Sequence, residues 1–512
     1  MDVHPVDLAI IAAYFVAMIG IGIYSVRMAR SREDYLVAGR RLKLPLYFGC
    51  IAALAVGGAV TVGGTQKGYE TGVAGLWVGG SLGMGLVVLG MLVSSKLNRL
   101  RALSINEVIE RNYGTTARVF GALLTIIYTV ALTVVQVVAM GSIAAGLFDM
   151  DKTWAMVMSG AVVVFYTFLG GMWSVTLTDL VQFIIKTLGV MVLVPVFVLT
   201  DDRIGGWDGL WSAVPESHTD FFAYGFDGSL YWVLLYVPGL VIGQDVWQRV
   251  FTAKDSTTAR TGTIAAGLYS MLYAFGGVML GLAVLAVGIQ LDDPALAFET
   301  GVAEFVPTGA AGLLLAAALA ASMSVASGTI LACSTVVYND LYLRFVRGVR
   351  DAELEGEDIT LGVRVEDDAP VAGTREVWVN RCIALVIGVL IVGLSVMIDD
   401  IFKALDLAYG FLSGAVFIPV IASFLLQRVS PRAGLVTLGV SALVVAGTMA
   451  YGESTGQAEY AIGGNWPITF GIGVGFVVYT LIHLTDRHKV VPNTRIEDGA
   501  ADLPAADPAP VR

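Results

Sequence analysis

Thirteen apolar segments, each long enough to cross a lipid bilayer, occupy most of this 512-residue chain. A helix needs about 20 apolar residues to span the hydrocarbon. Hydrophobic residues make up 56% of the sequence and charged residues only 14%, which excludes an ordinary soluble domain and predicts an all-α membrane protein. The predicted spans are 6–26, 45–66, 75–95, 119–147, 154–172, 176–200, 229–250, 263–289, 310–337, 379–398, 402–427, 434–452 and 466–485.

Lysine and arginine are distributed unevenly among the connections between spans. Odd-numbered connections are basic, with Arg27, Arg40 and Lys43 after the first span and Arg249 and Lys254 after the seventh. Even-numbered connections contain almost none. Because cytoplasmic loops carry an excess of these residues, we expect a multi-pass protein of the cell membrane, with its amino terminus outside and its carboxyl terminus in the cytoplasm.

Two predicted spans contain helix-breaking residues near mid-membrane. The second span contains Gly57–Gly58 and the seventh contains Pro238–Gly239. In lipid, a helix can lose backbone hydrogen bonds only where protein or a water-filled cavity replaces them. The two breaks lie five helices apart, and inverted five-helix repeats that open with a broken helix are typical of secondary transporters. We therefore expect discontinuous second and seventh helices around a central binding site.

Six motifs follow one another along the chain: Asp34–Arg40, Gly72–Trp77, Tyr166–Gln182, Gly243–Arg249, Ala320–Ser324 and Asn339–Tyr342. In content and order they resemble the motifs of the sodium:solute symporter family, and the likeness covers roughly residues 5 to 430. The resemblance implies about thirteen helices around a LeuT-type core of two inverted five-helix repeats.

The resemblance also implies a division of the chain into segments. The second repeat contains an acidic cytoplasmic loop at 346–376, whose composition predicts a solvated linker, with a docking segment as the alternative. The expected segments are a first helix with a basic cytoplasmic loop (1–44), the first repeat (45–200), an extracellular loop (201–228), the second repeat (229–427), two further helices (428–486) and a disordered cytoplasmic tail (487–512).

The ninth span is unusually rich in small residues, and Ala321, Ser324 and Ser327 share one of its faces. Small residues also permit tight helix packing, which is the simpler interpretation. In the family, carbonyls of the first broken helix and oxygens of this helix form a conserved sodium site. The resemblance therefore implies a cation site made from Ala53, Val56, Ala321 and Ser324, and we expect Ser327, on the same face, and Asp179 to belong to it as well.

Two residues depart from the family pattern at this site. Val325 stands where a serine or threonine is usual, and Lys186 lies in the sixth span, seven residues after Asp179 and on the same face. A charge inside the membrane indicates a functional site by default. A proton-coupled amino-acid transporter of the LeuT fold has a lysine on the equivalent helix, with its ammonium where sodium would sit. Lys186 could instead pair permanently with Asp179 or extend toward a membrane face.

The solute pocket is expected between the two breaks. Helix N-termini and exposed backbone at Gly57 and Gly58 favour an anionic group such as a carboxylate. A relative specific for proline has an acidic residue where Ala55 stands, which argues against a simple transfer of that substrate. The expected pocket residues, each of which could also be plain packing, are Ala55, Gly57, Gly58, Thr61, Thr133, Gln136, Tyr236, Val237 and Tyr409.

These observations predict a secondary active transporter that couples symport of a small organic solute to a sodium gradient by alternating access. Proton coupling through Lys186 is the first alternative. A transporter-like membrane sensor is the second, and the short sequence of about 27 residues after the last span favours transport over sensing. We expect no enzyme activity, organic cofactor, nucleic-acid partner or metal beyond the coupling sodium, because no nucleophile–base or metal-ligating cluster is present. The sequence leaves the solute and the oligomeric state open.

Overall fold

The structure, a computed structural model, describes residues 4–148, 150–346, 372–398 and 401–492. The described part is helical throughout, with two isolated β-bridges, Leu42–Ala253 and Val429–Val490, and no β-strand. Most of the acidic loop and residues 493–512 of the tail lie outside it. Val490, within the segment expected to be a disordered tail, exchanges two backbone hydrogen bonds with Val429.

The helices of the first half of the chain lie in the predicted spans and in the connections between them. They are α1 (Pro5–Ser25), α2 (Arg32–Val37), α3 (Leu44–Ala55), α4 (Gly58–Thr71), α5 (Leu76–Leu92), α6 (Ser94–Leu100), α7 (Ile105–Tyr113), α8 (Thr115–Phe148), α9 (Lys152–Lys186), α10 (Val194–Thr200) and α11 (Gly206–Ala213). A π-helical segment, Thr187–Leu193, joins α9 to α10.

Helices of the second half continue the same pattern, with π-helical segments at Val337–Val346 and Leu412–Val416. They are α12 (Gly225–Ile242), α13 (Gln244–Val250), α14 (Ser256–Ala286), α15 (Ala297–Phe305), α16 (Ala310–Val336), α17 (Ala372–Ser395), α18 (Ile401–Phe411), α19 (Phe417–Leu425), α20 (Pro431–Thr455) and α21 (Trp466–Thr485).

Eleven helical segments of the described residues are long and apolar enough to cross a membrane, judged by length and composition. One of them, Lys152–Thr200, has 49 residues and would extend about 74 Å as a straight helix, more than twice the hydrocarbon thickness. Gly171 interrupts it with φ 55° and ψ −137°, a backbone conformation open mainly to glycine. The total of thirteen spans stays a prediction.

The discontinuity in the predicted second span is confirmed. Helix α3 ends at Ala55 and α4 begins at Gly58, with Val56 and Gly57 outside helical geometry. A Cβ atom on Gly57 would lie 2.8 Å from Cγ2 of Val325, and one on Gly58 would lie 2.4 Å from Oγ of Ser322. Glycine at both positions therefore lets the break approach α16 closely.

The predicted seventh span is also discontinuous, but the expected position of the break was wrong. Helix α12 continues through Pro238 and ends at Ile242, and Gly243, with φ −62° and ψ 126°, separates it from α13. Oγ of Ser413 donates a 2.6 Å hydrogen bond to the carbonyl of Leu235, one turn before Pro238. Neighbouring side chains of this kind satisfy backbone groups near a proline and allow a membrane helix to continue.

The small-residue helix α16 lies at the centre of the molecule. It packs against α1, α3, α4, α8 and α9, and 94% of its most apolar window is buried. Serine and alanine at these contacts allow close backbone approach. Both broken helices and α9 consequently meet α16, and this arrangement brings the candidate site together.

Candidate functional site

The Lys186 ammonium is enclosed by three oxygen atoms, two from the last turn of α3 and the break after it, and one from α16. Its Nζ donates hydrogen bonds to the carbonyl of Ala53 (2.6 Å), to Oγ of Ser324 (2.9 Å) and to the carbonyl of Val56 (3.2 Å). An ammonium has three N–H donors, so each has an acceptor. The Lys186 side chain is fully buried and lies directly before the π-helical segment 187–193.

The break between α3 and α4 explains why these carbonyls are free to accept. In an unbroken helix, the N–H of Val60 would bond to Val56, but here it donates to the carbonyl of Gly57 at 3.1 Å. The last carbonyls of a helix lack intrahelical partners, and the helix macrodipole makes that end negative. The end of α3 therefore favours a cation, and Lys186 supplies one.

The other residues of the expected cation site surround this contact without joining it. Ala321 reaches the ammonium only through Ser324, whose Oγ also lies 3.0 Å from the Ala321 carbonyl. Oγ of Ser327 donates a 3.1 Å hydrogen bond to the carbonyl of Ser324. Val325 packs against Gly57 and offers no oxygen. Lys186 thus has two carbonyls and one hydroxyl as its hydrogen-bond acceptors.

Asp179 is paired with Arg249 rather than with Lys186. Its Oδ2 accepts hydrogen bonds from Nη2 (3.0 Å) and Nε (3.3 Å) of Arg249, and from Sγ of Cys50 (3.2 Å). Both partners of this ion pair are fully buried. Nη2 of Arg249 also lies 3.3 Å from the Ser324 carbonyl. The alternative of a permanent Lys186–Asp179 pair does not occur within the described residues.

Arg249 is a site residue that the sequence reasoning missed, because it was counted among the basic residues of a connection. The structure places it at the end of α13, fully buried beside α16. The signal available in the sequence was a single arginine following an apolar run that contains a helix break. Such a residue is rare within a membrane unless it has a partner.

A small cavity lies between the two helix breaks, with about 30 Å³ open to the centres of water molecules. That volume accepts a few waters at most, because each needs about 10–15 Å³ by this measure. Four expected pocket residues line it: Ala55, Gly57, Gln136 and Tyr409. The remaining lining residues are Asp245, which the sequence reasoning also missed, and Leu54, Ala59, Val60, Leu82, Leu132, Leu240, Val246, Val325 and Leu405.

Two polar side chains, Gln136 and Asp245, give this cavity its chemistry. Oε1 of Gln136 accepts a 2.9 Å hydrogen bond from the N–H of Gly58, the first residue of α4. Oδ1 of Asp245, near the start of α13, accepts a 2.8 Å hydrogen bond from the hydroxyl of Tyr128. The cavity therefore has a carboxylate on one broken helix and an amide-capped helix N-terminus on the other.

The other expected pocket residues do not line this cavity. Thr61 bonds to the hydroxyl of Tyr273 (2.9 Å) and Thr133 to that of Thr329 (2.6 Å). Gly58 packs against Ser322 and Ala139, Tyr236 stacks on Trp232 and contacts Tyr409 edge-on, and Val237 packs against Gly85. These residues therefore pack behind those that line the cavity.

A buried polar network closes the basic face of the molecule, which is the predicted cytoplasmic side. Asp340, beyond the end of α16, accepts hydrogen bonds from Arg118 (2.8 Å), Ser104 (2.9 Å) and Asn106 (2.9 Å). Arg118 also pairs with Glu110. These hydrogen bonds hold α7 and α8 against the segment that follows the C-terminal end of α16. A cavity of about 840 Å³ lies at the opposite face.

The sequence matches a known protein family and known transporters. The model of the sodium:solute symporter family matches residues 35–438. Sodium/proline symporters of several Staphylococcus aureus strains, including USA300, are 25% identical over 455 residues, covering 85% of this chain and 84% of theirs.

Two solved structures have the same fold at low sequence identity. A Na⁺-coupled sialic acid symporter has a TM-score of 0.76 at 16% identity, covering 95% of this chain and 99% of its own. A nucleobase-cation-symport-1 family transporter has a TM-score of 0.52 at 16% identity, covering 89% and 93%. These likenesses confirm the predicted all-α, LeuT-type architecture.

Proposed function

The chain belongs to the sodium:solute symporter family, whose members are transporters rather than enzymes, and we propose that it is a solute symporter in which protonated Lys186 replaces the coupling sodium ion. Three hydrogen bonds from Nζ to Ala53, Val56 and Ser324 support this proposal. Carbonyl and hydroxyl oxygens are the ligands that a hard cation takes. Sodium at this position would need the oxygens that the ammonium already uses.

Proton coupling follows from what the ammonium would lose when the helices separate. Alternating access requires the break between α3 and α4 to move relative to α16 and α9. An ammonium that loses its acceptors in a buried site costs several kcal/mol, whereas a neutral amine costs far less. Lysine can exchange its proton in such a site, while arginine stays charged. Release of the proton from Lys186 would thus accompany the change of state.

The central cavity supports a small zwitterionic solute. Asp245 offers a carboxylate to a basic group, and the N-terminal end of α4, where Gly57 and Ala59 line the cavity beside the amide of Gln136, suits an acidic group. The proline that the Staphylococcus aureus relatives carry is itself zwitterionic. Where a proline-specific relative has an acid at the position of Ala55, this chain offers Asp245 from the other broken helix. The cavity must widen before such a solute can bind, because its volume of about 30 Å³ has room for only a few waters.

Sodium coupling is the second candidate, because the matched family model and the relatives are those of sodium-coupled symporters. It would require either displacement of Lys186 from the three oxygens or a sodium site elsewhere. The two candidates differ in which gradient drives accumulation.

Reconstituted protein separates them. Proteoliposomes are given a panel of labelled zwitterions under an inward proton gradient without sodium, and separately under an inward sodium gradient at equal pH. We expect accumulation under the proton gradient, its loss in Lys186→Met, and its retention in Lys254→Met, which removes an exposed lysine. Strict sodium dependence of the wild type, with Lys186→Met still concentrating solute, would reject proton coupling. Absence of uptake for every solute would favour the sensor.

A further inference from the structure

The large cavity at the face opposite the basic connections contains an acid that the proposed transport mechanism does not use. Glu299 lies on α15, in the connection between α14 and α16 and outside the candidate membrane spans. It lines the cavity together with residues of α4, α8 and α16. This connection is an even-numbered one, so it belongs to the predicted extracellular side.

Both carboxylate oxygens of Glu299 are buried, and neither has a hydrogen-bond partner. The residue as a whole is half-buried, so its carbon atoms face the cavity while its oxygens are shielded. A buried carboxylate without partners costs far more free energy than a buried carboxylic acid. The geometry therefore suits the protonated form of Glu299.

The charged neighbours reinforce this preference. Asp293 and Glu304 also line the cavity, and Glu304 pairs with Arg203. From the elements packed on α15, α4 contributes Lys67 and Glu70, which pair with each other. No charged residue of α14 or α16 lines the cavity.

Lys152, at the start of α9, is the one basic residue among those that line the cavity in the described chain, and it makes no ion pair with Glu299 there. Burial raises the pKa of the Glu299 carboxyl to about 7; the N–H of its own backbone acts in the opposite direction, and the negative charge of Asp293 raises the pKa further.

We propose that Glu299 is a proton-binding site of the outer cavity and that its protonation holds α15 in its packed position. The acid form is neutral and can stay between the helices. The ionised form needs water or a cation, so it draws the side chain and the start of α15 toward the cavity. A Cβ atom on Gly146 would lie 3.9 Å from Cγ of Glu299, so the glycine leaves the space of a methyl group beside this side chain. External pH near neutrality would then control how tightly α15 packs.

The raised pKa of Glu299 determines in which direction pH changes the packing of α15. Below pH 7 the site binds its proton and α15 is packed, whereas above pH 7 the proton leaves and the packing loosens. The site is independent of Lys186, because Glu299 lies at the outer cavity and takes part in no step of the proposed proton coupling. Loss of proton coupling in transport would leave this proposal untouched.

Infrared difference spectroscopy on the purified protein reads the protonation of Glu299 directly. We expect a band of a buried protonated carboxyl that disappears with a midpoint near pH 7, is absent in Glu299→Gln and remains in Glu304→Gln. In Asp293→Asn the midpoint should fall, because a neighbouring negative charge is gone. Absence of such a band at pH 6, or an unchanged band in Glu299→Gln, would overturn the proposal.

Hydrogen–deuterium exchange tests the effect on α15. Comparison of the wild type with Glu299→Gln at the same pH removes the intrinsic pH dependence of exchange. Amides of residues 297–305 should exchange equally in both proteins at pH 6 and several-fold faster in the wild type at pH 8. Equal exchange at pH 8 would show that ionisation does not loosen the helix and would contradict the second half of the proposal.

Discussion

Nζ of Lys186 lies 2.6 Å from the carbonyl oxygen of Ala53, a contact between residues 133 positions apart in the sequence. It joins the end of α9 to the end of α3, where the helix break frees the carbonyl. The helix break leaves carbonyl groups without hydrogen-bond donors, and the buried ammonium of Lys186 needs acceptors. The two therefore satisfy each other. We therefore propose that the Lys186 ammonium takes the position that the family resemblance assigns to sodium.

Removal of the one hydroxyl at this site should weaken it. Ser324→Ala deletes an acceptor 2.9 Å from the ammonium, and hydrogen bonds to charged groups contribute about 1.5–3 kcal/mol. We expect gradient-driven uptake to fall at least several-fold and its pH dependence to shift. Ser334→Ala is the matched control, because that buried hydroxyl bonds only to its own helix at Leu331. Uptake of Ser324→Ala equal to that of the control at every pH would contradict the role of this oxygen.

The Asp179–Arg249 pair should be essential for the stability of the fold, because each partner neutralises the buried charge of the other. Asp179→Asn leaves a buried guanidinium without its carboxylate, and breaking one partner of a buried pair costs about 3–5 kcal/mol. Thermal unfolding in detergent should show a large loss for Asp179→Asn and for Arg249→Gln. The double variant, which removes both charges of the pair, should recover part of it. A double variant less stable than both single ones would argue against the pairing as the cause.

Close approach of the first break to α16 predicts a compensating pair of substitutions. Gly57→Ala places a methyl 2.8 Å from Val325, and overpacking of this kind costs about 1–3 kcal/mol. Val325→Ala should relieve part of the loss when the two are combined. In α4, which follows Gly57, Gly64 has open space around it, so Gly64→Ala serves as the control. Equal thermal stability of Gly57→Ala and Gly64→Ala would show that the contact is not tight.

Recognition of a basic group on the solute should depend on Asp245. Asp245→Asn removes the one charged group that lines the central cavity, and we expect KM for a zwitterionic solute to rise about 10-fold or more, from the strength of a charged hydrogen bond. Asp406→Asn is a matched control, since Asp406 is also buried beside a tyrosine hydroxyl, Tyr231 at 2.9 Å, but does not line the cavity. An unchanged KM in Asp245→Asn would point to a solute without a basic group.

The main features of the fold were predictable because they depend on local patterns. Span length, charge asymmetry and the glycine pair at Gly57 all act within a few turns of helix. The second break was misplaced because Pro238 is the stronger local signal, whereas tertiary contacts such as the one from Ser413 let α12 continue to Gly243. Local sequence alone does not contain those contacts.

The candidate site was predictable only in part for the same reason. Lys186, Ser324 and Ala53 were expected together because helical periodicity and the family motifs specify which faces meet. Arg249 and Asp245 were missed because both follow a helix break, where the sequence resembles the start of a basic connection. Burial of Glu299 results from packing between distant segments, and no pattern in the sequence indicates it.

Lys186 carries the coupling proton in the proposed mechanism, and proton entry during transport tests this most directly. Proteoliposomes without sodium, loaded with a pH-sensitive dye, receive a transported zwitterion outside at equal pH. We predict acidification of the lumen that follows solute entry in the wild type and in Lys254→Met, and none in Lys186→Met. Solute entry into wild-type vesicles that requires sodium and leaves the lumen pH unchanged would contradict the central claim.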